Sequence, residues 1–593
     1  MSASADRGSP PVLAPLVQRA VAVGSLAALV QLAFVYRKVH VNGTFAWASR
    51  DLYWTSPLAN ITLLVGLVLF LWMAGRWIRA VREPAVVDTA VGAVGGLAAL
   101  LVVGGLAEWA VLLLALGVGV QWSRMREGWA GQVRRWVTVG GMAVGVLCIT
   151  GGLLERVTRA RRAGDAVGAA PDGPNVLVII WDTVRAANLG LYGYARATTP
   201  ELDKLAKDGV TWDWAMAPAP WTLPSHCSMF TGLHPGEHSC RWDDPLRGAP
   251  ETVAAVFRRQ GWRTGGFVAN PFYTTHETGL HRGFDVWEDF RLTPRQLLLS
   301  STLMQTAIAR DLLTGDGWEA RTRALRQFKL RGDPKPLSDR KLATHVTDEF
   351  LAWQGGDSRP FFAVLNLFDA HDPYDPPPPW NTRFSPQPDR VALYDGGIAF
   401  MDHELGRLLK TLEGRGILDN TIVVVTSDHG EMFGEHDLGN HGHALYMPLL
   451  HVPLVVRYPA RLAAGARSEA TVGLRDLAAT LLDLAGIGAA PGIEGQSIVA
   501  TVGAPRDTTD GGHLALAETE RSKLFWTSGP ARHGAMHSLI DDTFHYIRDG
   551  KGREELYRYR QDLPEATDLA PSDTARTAWY RAKLGTVSRR LVR

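Results

Sequence analysis

The sequence predicts an α/β protein, a mostly parallel sheet flanked by helices, preceded by an all-α bundle of about five transmembrane helices. Apolar stretches within the first 160 residues are longer than a protein core explains. From Asn175 onward, short β-branched runs alternate with amphipathic helices. The first 165 residues carry 16 basic and 8 acidic side chains, and the remainder carries 46 and 52. A soluble part with a negative balance lacks the basic surface of a nucleic-acid binder, so we expect no nucleic-acid partner.

Four apolar stretches predict a membrane domain over residues 1–160, at 20–36, 57–75, 84–122 and 136–154. The third is too long for one span, and we split it at Glu108, which we place in a loop rather than inside the bilayer. Five spans put the termini on opposite sides, and a bias of nine basic residues against seven favours an inside N-terminus. We therefore expect a multi-pass protein of the cytoplasmic (inner) membrane whose catalytic domain faces the periplasm or the extracellular side.

Residues 161–174, rich in Gly, Ala and Pro, are expected to form a linker. A catalytic domain over 175–490 and a C-terminal subdomain over 491–593 would follow. The clearest strands are 175–180, 360–367 and 421–426. Helices are expected from Thr199-Pro200 to Gly209 and over 397–412.

Acids and imidazoles follow the three predicted strands directly. Asp182 follows the first strand, Asp369 and His371 follow the second, and Asp428 and His429 follow the third. Ligands of open parallel sheets bind outside the carboxyl ends of the strands, so these groups should converge there. Ionised carboxylates brought together repel unless a cation holds them, which predicts a divalent metal. The ligand mixture favours zinc or manganese over calcium, and three cysteines are too few for a thiolate cluster.

A candidate nucleophile lies in residues 218–232 (PAPWTLPSHCSMFTG). Pro224 suits the first turn of a helix and leaves Thr222 just before it, where the amides of a helix N-terminus could hold phosphate or sulfate. The alternative is that Thr222 merely caps the helix. Cys227 and Cys240 either pair in an oxidising compartment or remain thiols.

The same segment resembles the sulfatase signature Cys/Ser-x-Pro-Ser-Arg-x-x-x-x-Thr-Gly, matching at 222–226 and at 231–232. Further stretches resemble sulfatase blocks in the family's order: 175–185, 192–194, 199–210, 394–402, 421–431, 441–446, 452–459, 481–487 and 554–570. The resemblance covers about 175–570. It implies the metal-dependent ester-cleaving α/β fold of the alkaline phosphatase superfamily.

The chain departs from the family pattern at several positions. Thr222 stands where sulfatases carry the Cys or Ser that becomes formylglycine, and His226 stands at their Arg. Trp181 replaces one of two adjacent metal-binding acids, and Ala187 replaces a common Asp. An unmodified Thr nucleophile and a polytopic anchor are similar to those of lipoteichoic acid synthases and phosphoethanolamine transferases.

By that similarity the metal ligands would be Asp182, Thr222, Asp428 and His429, with Asp369 as an extra ligand. His371 and His441 would bind the transferred group or a second metal. His226 would reach the substrate as the family's Arg does, or would be a packed or helix-capping histidine. Glu431, His436 and His443 are expected to support the site or face solvent.

Three functions follow from this reading. The first is cleavage of phosphate esters, lipid- or glycan-linked, through a metal-activated Thr222 and a phospho-threonine intermediate, ending in hydrolysis or transfer. The second is cleavage of sulfate esters without formylglycine. The third is an inactive scaffold of the cell envelope, favoured by Trp181, Ala187 and His226 but opposed by the retained acids and imidazoles.

Overall fold

The structure is a computed structural model that describes residues 12–103, 106–162, 173–238, 240–248, 250–306, 340–504, 514–521 and 529–591. The described residues form two compact units. The first is helical and contains the N-terminal helices. The second starts at Arg162 and contains the sheets.

The helical unit opens with five helices: α1 (Leu13–Tyr36), α2 (Leu52–Ala74), α3 (Pro84–Leu100), α4 (Glu108–Arg124) and α5 (Gly128–Arg162). Three helical stretches are long and apolar enough to cross a membrane: Leu13–Val41, Leu52–Ala74 and Gly128–Thr158. A span needs about 20 residues, and α3 and α4 have 17 each. The expectation of five spans is therefore corrected to three candidates among the described helices. The split of the long stretch is confirmed, although Glu108 begins α4 instead of lying in a loop, and residues 104–105 lie outside the described part.

An eight-stranded sheet forms the centre of the second unit, in the order β10-β2-β9-β6-β1-β5-β3-β4. Its strands are β1 (Asn175–Trp181), β2 (Val210–Met216), β3 (Arg263–Val268), β4 (Val286–Glu288), β5 (Phe361–Leu367), β6 (Thr421–Thr426), β9 (His451–Arg457) and β10 (Ala466–Gly473). Neighbours are parallel except on both sides of β9. Every residue of β1, β5 and β6 is buried, as expected for parallel strands covered on both faces.

Helices of the second unit are α6 (Pro200–Lys207), α7 (Thr222–Thr231), α8 (Pro235–His238), α9 (Val253–Arg259), α11 (Ala343–Gly355), α12 (Arg390–Gly414), α13 (Met447–Leu450), α14 (Leu477–Leu484) and α15 (Thr574–Leu591), while α10 (Pro294–Leu299) belongs to the helical unit. The strands predicted at 175, 360 and 421 and the helices predicted at 199 and 397 are confirmed within a few residues, except that α12 starts earlier.

In the sheet, Ile180 of β1 pairs with Asn366 of β5 and with Thr426 of β6. The three strands thus end level with one another, which brings together the residues that follow them.

Two smaller sheets complete this unit. The hairpin of β7 (Met432–Phe433) and β8 (Gly439–Asn440) follows β6. Near the C-terminus, β11 (Ala515–Thr519), β12 (Met536–Ile540), β13 (His545–Arg548) and β14 (Glu554–Tyr557) form an antiparallel sheet. Its own apolar cluster includes Tyr580 and Leu584 of α15.

Residues 290–306 leave the sheet-containing unit and pack with the helical one. The Gln31 side-chain amide donates to the carbonyl of Ser300 at 2.9 Å, and the Ser301 hydroxyl donates to Asn60 Oδ1 at 2.9 Å. All four residues are buried. A segment that sequence reasoning placed within the catalytic domain thus satisfies polar groups of α1 and α2.

Candidate functional site

The candidate nucleophile opens helix α7. The helix begins at Thr222 itself, with Trp221 as its N-cap, so Thr222 does not precede the helix as expected. Pro224 is the third helical residue. A backbone N–H at this position would have no intrahelical partner, so the lack of one in proline costs the helix no hydrogen bond. The Thr222 Oγ1 lies 3.3 Å from His429 Nε2. The threonine thus faces the site, although its residue is only 1% exposed.

Asp428 is fixed by backbone donors at the end of β6. Its Oδ1 accepts hydrogen bonds from the amides of Thr183, at 3.1 Å, and His429, at 2.9 Å. Its Oδ2 is buried and has no hydrogen-bond partner among the described residues. One carboxylate oxygen is therefore held by the protein, and the other remains available to a ligand.

Asp182 repeats this arrangement with two side-chain amides. Its Oδ2 accepts from Asn270 Nδ2 at 3.0 Å and from Asn366 Nδ2 at 3.2 Å. Its Oδ1, like Asp428 Oδ2, is buried without a hydrogen-bond partner in the described chain. Sequence reasoning missed both asparagines. The signal was a polar Asn366 inside an otherwise apolar strand and Asn270 just after the end of β3.

Three ligand atoms converge at this point. One atom each from Asp182, Asp428 and His429 lies within 4.8 Å of the other two. His429 Nδ1 donates to the carbonyl of Gly430 at 2.9 Å, so Nε2 carries the lone pair. Burial raises the pKa of Asp182 to about 8, helped by the charge of Asp428, and burial raises the pKa of Asp428 to about 7. Two buried carboxylates, each with an unsatisfied oxygen, beside an imidazole lone pair fit a divalent cation.

The hairpin after β6 positions a second pair. Met432 pairs with Asn440, so the adjacent Glu431 and His441 lie side by side. His441 Nδ1 is 3.0 Å from Glu431 Oε1, and both residues are buried. The His441 ring lies 4.5 Å from that of His429, between centroids. His441 thus lies beside His429, and its contact with Glu431 Oε1 fixes its ring.

His371 reaches the same group, with its ring centroid 5.1 Å from that of His441. Its Nδ1 donates to the carbonyl of Asp372 at 2.8 Å. Burial, and then the nearby His441, lower the pKa of His371 to about 3. At neutral pH this imidazole is uncharged and offers a lone pair at Nε2. That state suits a metal ligand or a hydrogen-bond acceptor better than a cationic clamp.

His226 does not reproduce the charge of the family's Arg. Its Nδ1 donates to the carbonyl of Thr222 at 2.9 Å and lies 3.6 Å from Asp428 Oδ2. Burial lowers the pKa of His226 to about 4, so the ring is neutral at pH 7. Its Nε2 is buried with no hydrogen-bond partner among the described residues. His226 therefore borders the site without carrying charge.

Asp369 has a different environment. Its Oδ2 accepts from the backbone amide of Ala343 at 3.0 Å, at the start of α11. It is not part of the group formed by Asp182, Asp428 and His429. It follows β5 as expected. Its Oδ2 contacts the start of α11, while its Oδ1, like Asp182 Oδ1 and Asp428 Oδ2, is buried without a hydrogen-bond partner among the described residues.

Cys227 and Cys240 form a disulfide that ties α7 to the loop after α8. Of the two alternatives, pairing is the one observed. Trp242 lies two residues after Cys240. Its ring packs at a tilt of 32° against Trp221, the residue before the candidate nucleophile, with the ring centroids 3.7 Å apart. The disulfide therefore helps to hold the Trp221–Trp242 pair next to Thr222.

The side-chain amides of Asn270 and Asn366 that bond Asp182 can be tested by mutation. We expect Asn366→Ala to weaken divalent-metal affinity by about 10–100-fold, because partners that orient a metal-binding carboxylate contribute that much. Asn175→Ala is the matched control, since Asn175 is a buried amide at the opposite end of β1 that bonds Thr421 and Phe361. Calorimetric zinc or manganese titration of both variants measures the difference. Equal affinity losses in both would mean that Asn366 acts only through stability.

Comparison with known proteins shows the family and the fold. The sulfatase family model matches residues 174–487, more than half of the chain. The chain belongs to the sulfatase family. This sulfatase-family chain is 25% identical over 373 residues to an ulvan-active sulfatase of Formosa agariphila, covering 57% of the chain and 67% of the relative. It is 24% identical over 461 residues to an arylsulfatase of Clostridium perfringens, covering 68% and 91%.

Among solved structures, the phosphonate monoester hydrolase of Agrobacterium radiobacter superposes with a TM-score of 0.55 at 23% identity, covering 70% of this chain and 96% of the other. This likeness shows the fold. The family's relatives are ester hydrolases, so the chain is assigned as an ester hydrolase by family. Members of this superfamily are metal-dependent, which agrees with the donor set described above.

Proposed function

We propose that this protein is a membrane-anchored, metal-dependent enzyme that cleaves phosphate esters with Thr222 as an unmodified nucleophile. The observation that carries the proposal is the position of Thr222 Oγ1, 3.3 Å from Nε2 of His429. His429 is grouped with two carboxylates that each have an oxygen without a hydrogen-bond partner among the described residues. Threonine cannot become formylglycine, so its own hydroxyl must act if the site reacts covalently.

Asp182, Asp428 and His429 would hold the cation, with Thr222 adjoining it. The Asp and His donors favour zinc or manganese, with calcium less suited. When bound, a divalent cation lowers the pKa of a neighbouring hydroxyl and offsets negative charge on the transferred group.

The chain's own residues then account for the reaction. Thr222 Oγ1 would bond to phosphorus and give up its proton to water, while the bond from phosphorus to the ester oxygen breaks and that oxygen takes up a proton from water. His441, oriented by Glu431, and His371 would bind the transferred group, or His371 would bind a second metal through Nε2. Water would resolve the phospho-threonine and give hydrolysis; an acceptor hydroxyl would give transfer.

Sulfate-ester cleavage is the second candidate. It is supported by the relatives named sulfatases, including one described as ulvan-active. A neutral His226 in place of the signature's Arg reduces the positive charge available to either kind of ester, so it does not separate them. We rank phosphate esters first because Thr222 cannot become the formylglycine that sulfatases of this signature use, and we propose a lipid- or glycan-linked substrate that is reached from the outer side of a cytoplasmic membrane.

A substrate panel tests the proposal. The full chain, purified in neutral detergent, would be assayed on aryl phosphodiester, phosphomonoester and sulfate substrates while its bound metal is measured. We expect phosphoester turnover and a bound divalent ion. Turnover of sulfate alone would replace the proposal with the second candidate, and a metal-free chain without turnover would favour the inactive scaffold.

A further inference from the structure

The helical unit contains a buried carboxylate surrounded by arginines, which we call the Asp88 cluster. Asp88 of α3 has a side chain only 2% exposed. Arg19 Nε of α1 lies 2.9 Å from its Oδ1, and Arg134 Nη1 of α5 lies 3.1 Å from its Oδ2. Arg126, between α4 and α5, has Nη2 at 3.8 Å from the same Oδ2. The cluster thus gathers groups from three helices and one loop.

The Asp88 cluster has more positive than negative charge, and more N–H donors than acceptors. One carboxylate faces three guanidiniums, which leaves an excess of two positive charges. Each guanidinium has five N–H donors, and their remaining hydrogen bonds within the described chain go to the carbonyls of Ser123 and Trp122. The Arg19 and Arg134 side chains are only 16% and 14% exposed, so water has little access to their other donors, whereas the Arg126 side chain is 38% exposed. Unpaired, partly buried charge of this kind is costly without an anion.

The surroundings favour an anionic lipid as the source of that anion. The α2–α3 connection also carries Arg76, Arg79 and Arg82, and α4 ends at Arg124; the acids nearby in the chain are Glu83 and Glu127. The same unit contains three stretches long and apolar enough to cross a membrane. Arginine-rich ends of such helices attract anionic headgroups.

We propose that the Asp88 cluster binds the phosphate group of an anionic phospholipid. Asp88 holds the three guanidiniums in a fixed arrangement, and the lipid phosphate accepts hydrogen bonds from their remaining N–H groups. Planar guanidiniums suit this role because they contact phosphate through paired donors. The cluster shares no residue with the ester-cleaving site and does not depend on the function proposed for that site.

Lipid retention by the full chain tests this site. The protein in neutral detergent would be mixed with phosphatidylglycerol or phosphatidylcholine, and retained lipid measured by native mass spectrometry. We expect preferential retention of phosphatidylglycerol and an affinity about fivefold lower in Arg126→Gln. This variant leaves the two shorter ion pairs of Asp88 intact, so the fold should survive, which a thermal melt checks.

Arg124→Gln is the matched control, because it removes a charge two residues away that is not part of the cluster. We expect its affinity to stay within about twofold of the native chain. Equal losses in both variants would show diffuse surface charge and overturn the site, as would equal retention of the two lipids. Displacement of phosphatidylglycerol by millimolar inorganic phosphate would instead identify a small-anion site and overturn the lipid assignment.

Discussion

Thr222→Val is expected to abolish ester cleavage, lowering kcat by on the order of 10⁴–10⁶-fold. Valine keeps the shape and burial of threonine but removes the hydroxyl that lies 3.3 Å from His429 Nε2. Without that oxygen no covalent bond to phosphorus forms. Steady-state kinetics on the preferred aryl phosphoester measure the loss, and bound metal should change less than activity.

Two variants on the same residue and helix serve as controls. Thr222→Ser restores a hydroxyl at the site and should recover activity to within about tenfold of the native chain. Thr231→Val removes a hydroxyl at the other end of α7, where Thr231 donates to the carbonyl of Cys227, and should leave kcat nearly unchanged. Retained turnover in Thr222→Val would assign the nucleophile elsewhere, for instance to a water molecule.

Asp428→Asn is expected to remove both bound metal and activity. Partners that only orient a metal ligand cost about 10–100-fold in affinity, so loss of the ligand charge itself should exceed about 100-fold. The amide still accepts at one oxygen, but it cannot supply the second, charged oxygen that lies buried without a partner in the described chain. Metal content after dialysis, and activity after adding zinc or manganese back, measure the effect.

Asp402→Asn is the matched control for this charge removal. Asp402 is also a buried carboxylate whose pKa burial raises to about 7, but it accepts from the amides of Glu201 and Leu202 at the start of α6. We expect this variant to lower stability while keeping the metal. Full metal content in Asp428→Asn, or metal loss in Asp402→Asn, would contradict the assigned ligands.

Much of the sheet could be predicted because its strands are buried on both faces and therefore carry continuous β-branched runs. The ends of β1 and β6 placed Asp182, Asp428 and His429 correctly, since parallel strands in register finish at one edge. The number of spans was harder to predict. Hydropathy marks apolar stretches, but it does not show where a helix ends. The helices α3 and α4 have 17 residues each, fewer than the about 20 that a membrane span needs.

The site was less predictable where its geometry depends on distant pairing. Glu431 contacts His441 because the β7–β8 hairpin brings together two residues that are ten positions apart in the sequence. Asn270 and Asn366 meet Asp182 across three strands, a contact that no local motif encodes. Asp369 follows a strand just as Asp182 and Asp428 do, yet its Oδ2 contacts the start of α11 and it is not part of the group of three donors. Only the packing of that helix distinguishes its position from theirs.

Mass spectrometry during turnover shows whether Thr222 becomes covalently modified. The full chain would be quenched with acid while it processes a slow aryl phosphodiester, then digested and mapped. We expect a phosphoryl ester on the peptide carrying Thr222, absent from Thr222→Val. Rapid turnover with an unmodified Thr222 at every quench time, or a modification on another residue, would contradict this expectation.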